Sequence, residues 1–434
     1  MTEFDARTVP ADRTSQERLH ASGLEYRVVD LSDQAPGEGF LRADARGFLD
    51  ADPRDAVLAE MRETMVERRN IGVFDPTAGT GAWPVATVNS WVTPMTVPGG
   101  EVPMWAISSV TVSGTHRRRG IARGLLEGEL RAAAAAGVPM AGLTVSEATI
   151  YGRYGFAPAV PVARITVDTQ RAGWAAEAVS GRVEYVGKDT LAADLGAVHE
   201  RARAKRVGQI PGWPGRWQRM AGLAAGDTDA ERVRGVRYLD ADGEVRGVLA
   251  YTLAEIQGQF RFELSVRHLG AETPEALRAL WGFAIQHDLV VRVSADLRPS
   301  DDPVTWLVGD QRAVEVALHD HGWLRVLDVA AALEARSYRA PLDVVLSVRD
   351  PLGFAAGAWR LVVDAEGRAT VSAAAEVVPS DVVLDVTALS ALYAGGVSAA
   401  QLRAAGRMEC TLERAASLDD TFRTAEAPLL GIWY

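Results

Sequence analysis

Apolar positions along the chain follow two periods. Leu24 to Val29 alternate and predict a first strand. Phe40 to Asn70 carry a helical period, with Val57, Met61, Met65 and Val66 on one face and a break at Asp52 and Pro53. Ile71 to Phe74 and Pro84 to Val88 predict paired strands around a Gly-rich turn. Val92 to Val97 and Met104 to Val112 predict a hairpin closed by Pro98, Gly99 and Gly100. Ile121, Leu125, Leu126 and Leu130 then share a helical face that stops at Gly137 and Pro139, and Met140 to Val145 predict another strand. Residues 1–20 show little apolar pattern and are expected to be a flexible lead-in.

The second stretch opens with a strand over Val162 to Val167 and a helix over Leu191 to Arg203. Pro211 to Trp217 reads as a rigid surface loop with aromatic anchors. Strands over Val233 to Leu239 and Val245 to Leu253 are joined by a hairpin turn at Asp240 to Gly243, and Phe260 to His268 predict one more. Thr273 and Pro274 are an N-cap and first helical residue for a helix through Trp281. The last stretch starts with an acid-capped helix over Leu327 to Glu334. Strands follow at Leu342 to Val348, Gly357 to Val363, Ala369 to Ser372 and Asp381 to Val386, then helices over Thr387 to Tyr393 and Leu418 to Thr424. The whole reads as α+β.

Length changes the picture first: 434 residues exceed what one core organises, so two or three domains are expected. A hydrophobic share of 48% and a charged share of 24% are those of a globular protein. No apolar run is long enough to span a bilayer and no secretory segment leads the chain, so no membrane role is expected and the cytoplasm is the default. A net charge of −11 argues against nucleic-acid binding and allows a cationic substrate. Only Lys188 and Lys205 are lysines, a bias that high-GC codon usage explains. The lone Cys410 excludes an intramolecular disulfide and a cysteine metal cluster, and reads as a small packed residue.

Candidate chemistry centres on Val110, Thr111 and Val112, a buried strand end that feeds Arg117, Arg118, Arg119 and Gly120 and then a helix from Ile121 and Ala122. A helix start presents unpaired N–H groups and partial positive charge, glycine lets a ligand approach the backbone, and arginines add charge-assisted hydrogen bonds. That is an anion site, with a diphosphate as its natural guest. The spacing is neither GxGxxG nor GxxxxGK[ST]. A solvated basic turn before an amphipathic helix is the bland alternative.

Arg117 to Ala122 resembles the acetyl-CoA pyrophosphate loop of the GNAT superfamily of N-acetyltransferases, Q/R-x-x-G-x-G/A. With Ser108 to Val112, Thr115 to Gly120 and Ile150 to Phe156, the chain is similar as a whole to the Eis (enhanced intracellular survival) acetyltransferases. The resemblance implies two tandem GNAT-like domains, over 1–165 and 166–325, and a sterol-carrier-protein-like domain over 326–434. The second domain lacks an Arg-x-x-Gly-x-Ala loop and is expected to be a degenerate copy that shapes the substrate site. The resemblance also implies acetyl-CoA as co-substrate, no metal, a homohexamer, and an amine acceptor that is aminoglycoside-like or a lysine side chain. The donor's contacts would then fall on Val110, Thr111, Val112, Arg117, Arg118, Arg119, Gly120, Ile121, Ala122, Arg123, Ser146 and Glu147.

Acetyl transfer needs a deprotonated amine, a stabilised oxyanion and a protonated thiolate. By pattern alone Tyr151 reads as a core tyrosine; the resemblance reverses this and matches it to the family's general acid, and a phenol of pKa about 10 suits a thiolate of about 8.5. The resemblance makes the Tyr434 carboxylate the base, although an α-carboxyl of about 3.5 must first be raised by burial, or a water relay must serve. Trp433 stands where the family can carry an acidic residue that holds a polyamine. His319 and His321 lack further ligands and are read as part of a loop after a helix, and His116 as a turn residue. A non-catalytic protein that senses acetyl-CoA and holds an apolar ligand is the rival from another class.

Overall fold

The computed structural model describes residues 4–79, 83–375 and 380–434. Part of the expected Gly-rich turn after Phe74 lies outside them. The chain forms two compact units: residues 1–160, 322–425 and 434 make the first, and 161–321 and 426–433 the second.

In the first unit the N-terminal stretch is a folded element, not a flexible lead-in. Helix α1 (Arg13–His20) is capped by the Asp12 side chain on Ser15 N and buries Leu19. Strand β1 (Glu25–Val28), α2 (Gln34–Gly47), α3 (Asp55–Met65) and β2 (Arg69–Phe74) follow, so the second helical stretch ends before Arg69, whose residues to Phe74 are strand throughout. Then come β3 (Ala86–Val97), β4 (Gly100–Val112), α4 (Ile121–Ala135), β5 (Met140–Thr144) and α5 (Ala148–Tyr151). Ala86 to Val97 act as one long strand rather than two short ones, because β3 pairs with β2 at one end and with β4 along its length. Sheet order is β1-β2-β3-β4-β5, antiparallel until the parallel β4–β5 pair.

The second unit contains most of β6 (Ala157–Asp168), then α6 (Thr169–Ala172), β7 (Arg182–Val186), α7 (Lys188–Arg203) and α8 (Pro214–Met220). The stretch from Pro211 is therefore not a surface loop throughout. Pro214 starts a helix that buries Arg216 and Trp217. Strands β8 (Arg234–Leu239), β9 (Val245–Ile256) and β10 (Arg261–Ala271), α9 (Pro274–Ile285), β11 (Val290–Pro299), α10 (Val304–Leu307) and β12 (Val314–Val326) complete the run, in sheet order β6-β11-β10-β9-β8-β7. His319 and His321 lie in strand β12, not in a loop after a helix; His319 Nε2 meets Asp296 at 2.9 Å and His321 Nε2 meets the Ile432 carbonyl at 2.9 Å. The segment Gly322–Val326 of β12 belongs to the first unit and pairs with β5.

The rest of the first unit is α11 (Val329–Glu334), capped by Asp328, then β13 (Leu342–Arg349), β14 (Gly357–Val363), β15 (Ala369–Ala373) and β16 (Val382–Asp385). Helices α12 (Val386–Tyr393), α13 (Ala399–Ala404) and α14 (Leu412–Phe422) and the short β17 (Met408–Glu409) complete it, in sheet order β15-β14-β13-β16-β17. Among the described residues no helix is long and apolar enough to cross a membrane.

A buried ion pair anchors the first core. Arg69 and Glu129 are both inaccessible and meet at 3.2 Å. Glu129 also accepts from Ser90 Oγ and from Trp105 Nε1 at 3.2 Å, and Arg69 donates to the Val9 and Pro10 carbonyls. Removing one partner strands the other charge, which costs about 3–5 kcal/mol. Glu129→Ala is therefore expected to lower first-unit stability by that amount in urea titrations, and Arg69→Met with Glu129→Leu to recover most of it.

Candidate active site

Strand β4 pairs with β5 only at Met104, Trp105 and Ala106, opposite Met140, Ala141 and Gly142. Beyond Ala106 it runs six residues further, to Val112, paired with β3 alone. The departure has a local cause. The β3–β4 register slips between Thr87 and Asn89, and Ser109 on the facing strand takes φ 53°. A bulge of this kind bends a strand and re-aims its edge. The N–H and C=O groups on the β5 side of Ile107–Val112 are thus left for another partner.

Behind the bulge sits a polar cluster that sequence reasoning missed. Thr87 Oγ1 donates to the Ser109 carbonyl at 2.9 Å and lies 2.7 Å from Thr111 Oγ1, and Asn89 Nδ2 donates to Ser109 Oγ at 2.9 Å. Asp44, on α2, is 4% exposed beside the Ser109 and Thr87 hydroxyls, and its Oδ1 has no hydrogen-bond partner among the described residues. Burial pushes its carboxyl up to about 7, against the pull of those hydroxyls and Arg68. A single Asp inside the helical run 34–47 offered no signal in the sequence; only burial against the bulge marks it.

At the end of β4 a short 3-10 turn (Gly114–His116) leads into the basic loop. Arg118 has φ 63° and Gly120 φ 75°, two left-handed residues in three positions. Successive N–H groups in such a run form a concave anion cradle. Gly120 is the N-cap of α4, and no side chain caps that helix. A Cβ at Gly120 would meet nothing within 4 Å, so glycine is needed there for its φ and the space above is open. Ile121 is buried and Ala122 half-buried.

The three arginines divide their work. Arg119 Nη1 reaches Asp75 at 3.4 Å and Nη2 donates to the Ser22 carbonyl. Asp75 also takes His116 Nε2 at 3.0 Å, and the Thr77 hydroxyl, first, then His116 hold its carboxyl well below the usual range. Asp75 thus ties down both ends of the loop, so His116 is more than a turn filler. Arg117 and Arg118 are exposed and their guanidiniums have no partner among the described residues. Arg46 Nη2 bonds Ser113 Oγ at 3.3 Å, and with Gly47, Val112, His116 and Arg117 it lines a groove of about 590 Å³. The Arg123 side chain pairs with Glu127 at 2.6 Å and is not free, although its N–H lies in the first turn of α4. Ser146 and Glu147 are exposed on the loop from β5 to α5.

Tyr151 ends α5 with 7% exposure, packed edge-on against Phe156 with ring centroids 6.3 Å apart. It shares one core with Val110 and Val112. Burial raises its phenol, and no hydrogen bond is made by its hydroxyl among the described residues. Tyr154 is also buried, and its carbonyl accepts from Arg325 Nε at 2.9 Å.

Tyr434 lies at the point where the two strands part. Its main-chain oxygen accepts from Thr144 Oγ1 at 2.7 Å, two residues beyond the last β4–β5 pair. Its ring stands edge-on to Trp91 at 5.4 Å, and a Cβ on Gly142 would fall 3.1 Å from its hydroxyl and collide with Met104 Sδ. Gly142 is thus small because Met104 and the Tyr434 ring share its space.

The fold together with this open strand and basic turn defines an acetyltransferase of the GNAT type. Acetyltransferase (GNAT) domain families match residues 32–159 and 211–326, and a sterol carrier protein domain matches 329–431. An uncharacterized N-acetyltransferase of Streptomyces avermitilis is 36% identical over 86% of this chain and 90% of its own length. N-acetyltransferase Eis of Mycobacterium tuberculosis is 32% identical over 72% of this chain and 76% of its own. The crystal structure of Eis1 from Mycobacterium abscessus superposes with a TM-score of 0.80 at 28% identity, over 95% of this chain and all of that one. The chain belongs to the Eis family of N-acetyltransferases. It is an enzyme, and the non-catalytic rival gives way.

Asp44 carries a pH signature. Its unfolded carboxyl titrates near 4 and its folded one near 7, so the native state holds a proton that the unfolded state gives up between those values. Its contribution to stability is full below pH 4 and is lost as pH rises to 7. Asp44→Asn is expected to gain on the wild type across that window by up to about 4 kcal/mol, at about 1.36 kcal/mol per unit. Urea midpoints at pH 4, 5.5, 7 and 8 measure it; parallel curves would reject the shift.

Proposed function

We propose that this chain moves an acetyl group from acetyl-CoA to a primary amine of a multi-amine acceptor, aminoglycoside-like or a lysine side chain, by direct attack in a ternary complex. The observation that carries this reading is the free edge of β4 beyond Ala106, set beside an uncapped helix start with two left-handed residues before it. The residues fit the donor. Exposed Arg117 and Arg118, and the N–H groups of Gly120, Ile121, Ala122 and Arg123, face the diphosphate, while Arg119 holds the loop through Asp75. Val110, Thr111 and Val112 supply backbone partners for the pantetheine amides and the thioester oxygen, and Ser146 and Glu147 flank the mouth.

Tyr151 protonates the departing thiolate. Its raised pKa keeps the phenol protonated at neutral pH, which an acid requires. The Tyr434 carboxylate takes the proton of the attacking amine, held in place by Thr144 and the Trp91 contact. A new C–N bond forms as the C–S bond breaks, with one proton leaving nitrogen and one reaching sulfur. The three-part division at 1–165, 166–325 and 326–434, a homohexamer and a cytoplasmic setting are proposals that follow from family likeness.

The test is thiol release from acetyl-CoA over a panel of aminoglycosides, polyamines and lysine peptides. Tyr151→Phe is expected to lower kcat by about 10²–10³-fold with little change in the KM for acetyl-CoA. A chain extended by one Gly after Tyr434 is expected to lose most turnover. Full activity in the extended chain would reject the carboxylate as base, and no turnover with any amine would reject the acceptor class.

A further inference from the structure

The second unit repeats the parting of strands in another chemical form. Strand β10 pairs in parallel with β11 from Phe262 to Val266, opposite Val290 to Ala295, then runs on to Ala271 without it. Past Ala295, β11 bulges, and Leu297 takes φ 52°. The turn after β10 is no anion cradle, because Pro274 opens α9 and the Thr273 side chain caps Ala276 N. The opening is a cavity of about 590 Å³, lined on one side by Val266 to Pro274 and on the other by residues of β11, α8 and the segment 426–433.

Arg216 lines this cavity at 9% exposure. Its Nε has no hydrogen-bond partner, and its Nη1 makes one long contact, 3.4 Å, to the Trp433 carbonyl. No carboxylate pairs with it among the described residues. The acids on the cavity wall are committed elsewhere: Glu272 to Arg201 and Arg246, Asp296 to Arg164 and His319, Asp301 and Glu426 to Arg206. Of the other arginines on the wall, Arg298 is balanced by Asp302 and Arg267 by Asp227, and Lys205 is exposed. Burial, first, lowers the pKa of both His199 and His268, and the Arg216 charge lowers both further, on His199 against the Ile210 hydrogen bond and Glu200. A guanidinium this buried and without a counter-charge is a costly arrangement that a well-packed apolar residue would relieve. Its position in a cavity that also presents Met220, Leu277, Leu297 and Trp433 points to a ligand with one anionic end and an apolar body.

We infer that the cavity at the parted strands of the second unit binds a small organic oxyanion, carboxylate or phosphate, on Arg216. The site lies wholly within the second unit and does not depend on the roles given to Tyr151 and Tyr434.

The probes are benzoate and phenyl phosphate, with benzamide and benzylamine as neutral and cationic matches, titrated calorimetrically and by melting temperature into the full chain. At least one anion is expected to bind the wild type and raise its melting temperature, and the one that does so more strongly identifies the head group. Benzamide and benzylamine are expected not to bind. Arg216→Met is expected to melt at or above the wild type and to bind the anion at least about tenfold more weakly, and Arg216→Lys to keep part of the affinity. Tyr151→Phe is expected to bind the anion as the wild type does. The inference is overturned if neither anion binds, if benzamide binds as well as benzoate, or if binding survives in Arg216→Met. If Arg216→Met does not fold, Arg216→Gln, which keeps a polar head and removes the charge, overturns it equally should it bind the anion as tightly as the wild type does.

Discussion

The early end of β4–β5 pairing is the constraint on which the rest of the first unit depends. A strand released on one side leaves a row of backbone donors and acceptors that folding has not satisfied. The release is enforced from three sides. The left-handed Ser109 places a bulge where β3 would otherwise hold β4 straight. Helix α2 packs against the bulged segment so closely that a Cβ on Gly47 would collide with Thr111. Gly142, the last residue of β5 to pair with β4, is crowded by Met104 and the Tyr434 ring. On its other edge β5 is satisfied by Gly322–Val326, so the opening is confined to the β4 side.

Charge is arranged around that opening so that some groups are fixed and others left free. Asp75 fixes the basic loop through His116 and Arg119, and Glu127 draws off Arg123. What stays available is Arg117, Arg118 and the amides of an uncapped helix start, the combination that favours an anion at a helix N-terminus. In the second unit the corresponding strand-to-helix turn is closed by Thr273 and Pro274, and positive charge is supplied instead by a buried Arg216. The two GNAT units share a geometry and differ in how each neutralises its opening.

Much of this was legible in the chain. The basic loop, its glycine and the helix after it form a contiguous motif, and Thr273–Pro274 and Asp328 announce their caps directly. Where the structure departs from the pattern, the departure has physical reasons. Residues 6–20 look structureless because α1 is mostly solvated and buries little beyond Ser15 and Leu19. Pro211 to Trp217 looks like a loop because two prolines and two glycines punctuate it, yet Pro214 suits the first turn of α8. His319 lies on a strand with many exposed positions, Glu315 to Leu318 among them, so no alternation marked it. Asp44, Asp75 and Arg216 were invisible for a different reason. Asp44 matters through Thr87 and Ser109, Asp75 through His116 and Arg119 besides its neighbour Thr77, and Arg216 through the lack of a carboxylate, and a single sequence does not display such relations.

Placement of the donor on the free edge of β4 and the basic turn after it is open to direct measurement. Amide hydrogen exchange on the full chain, with and without saturating acetyl-CoA, tests it most directly. Amides of Ile107–Val112 and of Arg118–Arg123 are expected to exchange at least about tenfold more slowly with acetyl-CoA present, and those of His268–Thr273 to be unchanged. Protection of His268–Thr273 in their place, or none along Ile107–Val112, would contradict it.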